Sequence, residues 1–199
     1  MKTKKYSMSF TTGALLYHES VKLAALYISI RQWDKVRAAV VAENIIQART
    51  VNTLNRFTNE IISRLKTLSE QEILFLNDAD YAEQKYTLWL SICRRYTFIA
   101  DFATDIVYGN FFSLKNSVTY DDYTVFFNKK AEWHSELDRI ADSTKGKLRQ
   151  TLFKMMQEAN LLDKNNAILP VVPSAAFREI LSKAKQNEIM FFPISELVR

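Results

Sequence analysis

The chain has 199 residues, 48% of them apolar and 25% charged, enough for a sizeable core and outside the disordered and fibrous classes. Only three Gly and three Pro are present, too few for the tight turns of a β-sandwich or barrel, so the composition points to a mainly α protein. The formal net charge of +5 is segregated: residues 1–66 hold 11 Lys/Arg against 4 Asp/Glu, residues 67–143 hold 7 against 13, and residues 144–199 hold 9 against 5.

Two basic ends therefore flank an acidic middle, a pattern that concentrates polyanions at the ends unless the charges only solvate helical faces. The N-terminal MKTKKYSMSF is basic and has no apolar stretch of signal-peptide length. Thr11-Thr12-Gly13 precede a first helix, with Leu16, Leu23, Tyr27 and Ile30 on one side. A second, short helix begins near Asp34, with Trp33, Val36 and Val40 as its stripe. A third runs from about Thr50 to Leu68, with Val51, Leu54, Ile61, Leu65 and Leu68 inward. Its other face carries Asn52, Asn55, Arg56, Asn59, Arg64 and Lys66, and Arg49 precedes it. Cations meet phosphates and amides read base edges, so this is either a nucleic-acid-reading face or the solvated side of a plain amphipathic helix.

Ser69-Glu70-Gln71-Glu72 has the form of a capping box and starts a short helix through Phe75 and Leu76. Asn77-Asp78-Ala79-Asp80 reads as a turn and a new helix start. From Tyr81 to about Tyr108 the chain is apolar on several sides, with Trp89, Leu90, Ile92, Phe98, Ile99, Phe102 and Ile106. This is one broken core helix or two consecutive ones, with Cys93 buried in it. A single cysteine also excludes an internal disulfide and a cysteine-based zinc site. Arg94, Arg95, Asp101 and Asp105 interrupt the run, so no membrane span is expected, and a cytoplasmic protein is. Gly109-Asn110 reads as a helix stop. Leu114–Thr119 is the best boundary between an N-terminal helical domain, residues 1–115, and a C-terminal domain, residues 116–199. The alternative is one compact unit.

Thr119 with Asp122 again pairs a hydroxyl with a carboxylate three residues on, starting a helix over Tyr120–Asn128 with Tyr123, Phe126 and Phe127. Ala131–Ile140 reads as another, with Trp133, Leu137 and Ile140 inward. After a turn at Ala141-Asp142, Ser143 caps a helix over Thr144–Asn160, whose stripe is Leu148, Leu152, Met155, Met156 and Ala159. Lys145, Lys147, Arg149, Gln150 and Lys154 crowd its N-terminal half. Cations do not stabilise that end of a helix, which suggests another use, because a recognition helix presents its first turns to a groove. Leu161-Leu162 and Ile168-Leu169 then flank Asp163-Lys164-Asn165-Asn166 as a small β-hairpin, with Lys164 near its tip. The fold expected is thus mainly α, a helical bundle with helix-turn-helix-like units and a C-terminal winged-helix-like part. A helical core with a coincidental loop is the alternative, and winged helices also join proteins to proteins. Met190–Arg199 reads as an apolar strand and a tail around Pro193.

Catalytic patterns are not evident. His18 and His134 are the only histidines, and Glu132, His134 and Glu136 do not share a helix face at two-residue spacing. Asp101 and Asp105 do share one and could hold a divalent ion, although solvation or pairing with Arg94 or Arg95 is the plainer reading. Gly146-Lys147 lacks the upstream glycine of a phosphate-binding loop. The expectation is no enzyme, no cofactor and no metal site.

Six segments in order carry a resemblance: YSMSFTTGALLYHESVKLAALY, ENIIQARTVNTLNR, EIISRLKTL, LWLSICRRYTFIADFA, FFNKKAEWHSEL and KLRQTLFKMMQEANLL. Together they resemble the BrxA family of bacteriophage exclusion (BREX) defence systems over almost the whole chain. That resemblance implies a predominantly helical accessory factor encoded beside a DNA methyltransferase, an ATPase and a phosphatase-like protein. It implies nucleic-acid binding and supplies no catalytic residue. The leading reading is a non-catalytic protein that binds double-stranded DNA through Lys145, Lys147, Arg149, Gln150, Lys154 and Lys164, with Arg49, Asn52, Asn55, Arg56 and Arg64 as a second patch. The alternative is an adaptor that docks on other BREX subunits through its acidic middle and aromatics such as Tyr120, Tyr123, Phe126 and Phe127, with only weak DNA or RNA affinity. RNA stays open because a basic helical surface does not choose the sugar.

Overall fold

The computed structural model describes residues 5–183 and 188–194. Helix α1 (Tyr17–Ile30) and α2 (Trp33–Glu43) pack on each other, and α3 (Val51–Leu65) packs on both. Helix α4 (Glu70–Asp78) leads into α5 (Tyr81–Arg95), the axis of the molecule, which touches α1, α3, α4, α6 (Thr97–Phe102) and α10 (Asp142–Glu158). A π-helical turn (Ala103–Tyr108) continues α6 into α7 (Gly109–Phe112). Helices α8 (Tyr120–Ala131) and α9 (Ser135–Asp138) then precede α10, and α11 (Ala175–Lys183) and a 3-10 turn (Glu188–Phe191) close the chain.

The helix starts follow from local chemistry. Asp80 accepts from the backbone N–H groups of Ala82 and Glu83, both at 2.9 Å. Ser69 with Glu72, and Thr119 with Asp122, form complete capping boxes. Helix α5 is buried on every side from Tyr86 to Cys93, so it reads as continuous apolar sequence rather than as a stripe. Trp89 is fully buried and its indole N–H donates to the Phe191 carbonyl at 2.9 Å. Phe98 sits edge-on to Tyr6, Phe126 and Phe127, joining the N-terminal segment, α6 and α8. The hydrophobic cluster runs from Tyr6 to Ile194 and includes residues on both sides of position 115. Cys93 lies within it, and burial pushes its thiol well above the ordinary range.

One polar network is set into this core. The Arg94 guanidinium meets Glu72 at 2.8 Å and Glu188 at 2.7 Å, tying α5 to α4 and to the C-terminal 3-10 turn. Burial pushes the Glu72 carboxyl up, but the Arg94 guanidinium and the Ser69 backbone N–H outweigh burial and hold it below its ordinary value of 4.5. A carboxyl lowered on folding contributes stability that is full above that value and is lost as pH falls through the folded value. Urea midpoints are therefore expected to hold from pH 7 to about 5 and to fall below about 4.5, with a shallower fall in Glu72→Gln. An unchanged slope in that variant would remove Glu72 from the acid response.

Several expectations are corrected. No sheet forms among the described residues, and the predicted hairpin at Leu161–Leu169 is absent as a pair of strands. Instead Leu162–Ile168 and Ser117–Ala167 make single antiparallel bridges. The segment is too short to pair further, because Asp163 closes it on itself, its carboxylate accepting from Asn165 N at 2.8 Å and Ala167 N at 2.7 Å. Gly109-Asn110 does not stop a helix. Gly109 has helical torsions, and the chain turns only at Leu114, with φ 58°. Ser143 is not a cap, since α10 begins at Asp142 after Ala141 with no side-chain cap. The helix expected over Ala131–Ile140 shrinks to α9, and the break at residues 132–134 turns Trp133 outward to 75% exposure. Val51 is likewise outward, at 67%. Asp101 and Asp105 pair with Lys130, at 3.2 and 3.1 Å, rather than with Arg94 or Arg95. The C-terminal strand expected over Met190–Arg199 is a 3-10 turn as far as Phe191, and residues 195–199 lie outside the described residues.

Candidate nucleic-acid interface

Helices α2 and α3 are joined by a turn that local side chains hold. Asn44 ends α2 in the left-handed region, and its side-chain amide bonds Ala48 in both directions, at 2.9 and 3.0 Å. Thr50 then caps α3, accepting from Thr53 N at 3.2 Å. Helix α3 buries Leu54, Thr58, Ile61, Ile62 and Leu65. The opposite stripe is Asn52, Asn55, Arg56 and Asn59, spaced i, i+3, i+4 and i+7, and the exposed Arg49 precedes the helix by two residues. Arg49, Asn52, Arg56 and Asn59 are exposed, and Asn55 is half-buried.

Asn55 also lines a groove of about 400 Å³ between α2 and α3, together with Asp34, Arg37 and Val41. Residue spacing gives no sign of Arg37. It belongs here because exposed α2 residues flank the α3 stripe, a neighbourhood visible only once the two helices are packed. Among the described residues no acidic side chain forms an ion pair with Arg37, Arg49 or Arg56. Arg56 lies 5.8 Å from the Phe57 ring centre and, like Arg49, meets no carboxylate. Guanidinium groups free of carboxylates beside amides on one face can meet phosphates and base edges together.

Arg64 is not part of this face. It is 2% exposed, meets Glu60 at 2.6 Å and donates to the Ala14 carbonyl at 2.7 Å, fastening the segment before α1 onto α3. Position 64 falls one turn past Glu60 and beside Leu65 on the inner side, so its charge serves the fold.

The cations of α10 are brought to one helix but are partly engaged. Lys145 pairs with Asp142 at 3.3 Å and lies 5.5 Å from the Phe127 ring. The Arg149 guanidinium is 4.5 Å from the Tyr120 ring centre. Lys154 pairs with Glu158 at 3.7 Å. Lys147 and Gln150 are exposed, and Lys164 is exposed on the Asp163 turn. The tethering of that turn to α10, through Gln157 and Asn166 at 3.0 Å, keeps Lys164 at the C-terminal end of the helix. Tyr123 and Arg149 add a feature that residue spacing does not show. The Tyr123 hydroxyl and Arg149 Nε are buried without a hydrogen-bond partner among the described residues. Burial pushes the Tyr123 phenol far above its ordinary range, and nearby Arg149 offsets this only in part.

Fold and faces together define an all-α protein with a tied helix–turn–helix pair whose second helix presents an unpaired cationic and amide stripe. The chain belongs to the BrxA family, whose model matches residues 4–185. Two curated proteins named BREX protein BrxA are similar to it. The one from Escherichia coli O9:H4 (strain HS) is 24% identical over 151 residues, 76% of this chain and 71% of that protein. The one from Bacillus cereus (strain H3081.97) is 23% identical over 162 residues, 81% of each. A crystal structure of an uncharacterized protein from Magnetospirillum magneticum shares the fold, with a TM-score of 0.82 over 96% of this chain and 98% of that one at 18% identity. No helix among the described residues is long and apolar enough to cross a membrane.

Proposed function

We propose that the protein is a non-catalytic, double-stranded DNA-binding accessory protein of a BREX anti-phage system. The family and the names of its relatives support the system, and the α3 stripe supports the binding. That stripe is the observation that carries the reading: Asn52 and Arg56 are exposed on the capped helix α3, Asn55 is half-buried between them, Arg49 is exposed just before the cap, and neither arginine pairs with a carboxylate. Cationic side chains that release counterions from a duplex set affinity, and amides beside them contact base edges. Helix α10, with Lys147 and Gln150 exposed, supplies the second contact.

A fluorescent duplex of about 30 base pairs, titrated with the protein from about 50 to about 300 mM salt, tests the reading. The expected result is micromolar or tighter binding at low salt, a steep salt slope and resistance to competition by RNA and single strands. Absence of duplex binding at about 50 mM salt would leave the second reading, an adaptor for other BREX subunits. The exposed Trp133 and Val125, at 75% and 67%, favour that role, since large apolar side chains outside the core are candidates for a protein partner.

A further inference from the structure

Helices α8 and α10 are separated by a cleft of about 170 Å³, far more than one water requires. Tyr123 and Asn128 line it from α8, and Lys145, Gly146 and Arg149 from α10. A Cβ at Gly146 would meet nothing within 4 Å, so that wall is open. Tyr123 is only 3% exposed, yet its hydroxyl has no partner among the described residues, and neither does Arg149 Nε. Both orphaned groups have almost no accessible surface of their own, belong to residues that line this one cleft, and lack a partner that an occupant reaching them would supply.

The chemistry of the walls specifies that partner. Arg149 Nε can only donate, a neutral phenol donates readily, and the Lys145 ammonium donates. Helix α10 has 17 residues and no side chain caps its first turn, so the positive end of its dipole, at Asp142 to Lys145, adds to the attraction for an anion. An array of donors with two cations fits a small, multiply accepting anion. The Asp142 carboxylate at the rim, paired with Lys145 at 3.3 Å, is 98% exposed, so the pair is a solvent-screened one that a phosphate can displace.

We propose that the cleft between α8 and α10 is a phosphate-binding pocket, in which Arg149, Lys145 and the Tyr123 hydroxyl hold the oxygens of a single phosphate group. The nucleic-acid reading enters only as the source: a duplex would present a backbone phosphate there, whereas free phosphate would use the same donors. Tyr120, half-exposed beneath the Arg149 guanidinium, holds that fork in place at the mouth.

The test uses the full chain and Tyr123→Phe, which removes an unpartnered hydroxyl, leaves the ring and does not endanger folding. Thermal unfolding is followed as inorganic phosphate replaces chloride at constant ionic strength. The wild type is expected to gain melting temperature with phosphate, and Tyr123→Phe to need about tenfold more phosphate for the same gain. Arg149→Gln should abolish the response. Equal stabilisation of wild type and Tyr123→Phe, or none in either, would overturn the pocket, the cleft then being filled by water. The duplex titration separates the sources. Weaker duplex binding in Tyr123→Phe, alongside a diminished phosphate response, supports a backbone phosphate as the occupant. Unchanged duplex binding with that response diminished supports free phosphate. Failure of the wild type to bind duplex strikes the DNA reading and leaves the phosphate result standing.

Discussion

Replacing Arg94 by methionine is expected to lower folding stability by about 3–5 kcal/mol at neutral pH. The guanidinium donates two bonds to Glu72, three to Glu188 and one to the Thr67 carbonyl at 3.1 Å. Both carboxylates are more than nine-tenths buried as side chains, at 8% and 7% exposure. Methionine fills the stem volume but leaves two negative charges facing one another in a medium that solvates them poorly. Much of the cost is that uncompensated charge rather than the worth of the pair. The variant therefore carries a signature of its own. Without the cation that holds it low, the buried Glu72 carboxyl must rise, so the deficit against wild type should shrink between pH 7 and about 4.5 as Glu72 takes up a proton. The wild type runs the other way, losing the contribution of Glu72 only below that range. Urea unfolding at both pH values measures the difference. A deficit under about 1 kcal/mol, or one that does not change with pH, would show that the network is solvated like a surface pair.

Local features were legible in the sequence and distant ones were not. The caps at Ser69, Asp80 and Thr119 each depend on atoms within three residues, and all three form as their spacing implies. The same holds for the outer stripe of α3, because i, i+3, i+4 and i+7 on a long helix must share a face. Periodicity misleads where a helix is shorter than the pattern assumes. Trp133 reads as inward only if Ala131–Ile140 is one helix, and the break before α9 shifts its phase. The hairpin reading fails for a related reason: a turn signal between apolar pairs does not say how many ladder bonds the flanks can make, and here the answer is one bridge. Arg64 and Arg94 look in the sequence like any cation on a helical surface. Their partners lie 50 and 94 residues away, at Ala14 and Glu188, so only the fold distinguishes them from Arg56. The cleft at Tyr123 and Arg149 is invisible for the same cause, since an orphaned hydroxyl is a property of packing and not of spacing.

That distinction decides which substitutions should affect DNA. The double variant Arg49→Ala/Arg56→Ala is expected to lower the salt slope by about 1.8, at about 0.9 for each phosphate no longer neutralised, and to weaken duplex binding about equally for every sequence. Asn52→Ala should leave the slope alone and reduce discrimination between duplexes by about 1–3 kcal/mol at the base pair it meets. All three side chains are exposed and outside any ion pair, so folding stability should move by no more than about 0.5 kcal/mol. Arg64→Ala is the internal control: it should destabilise the fold because the Ala14 carbonyl loses its donor and Glu60 loses its cation, keeping only the Tyr96 hydroxyl, with the salt slope of the folded protein unchanged. On α10, Lys145→Ala/Lys147→Ala/Arg149→Ala removes three charges, but Lys145 and Arg149 converge on one phosphate in the cleft and Lys145 is already paired with Asp142, so the slope should change by less than three phosphates would give. If the α10 variant instead abolishes binding while the α3 pair does not, the principal face is the helix with the phosphate cleft, and the stripe on α3 is a solvated surface.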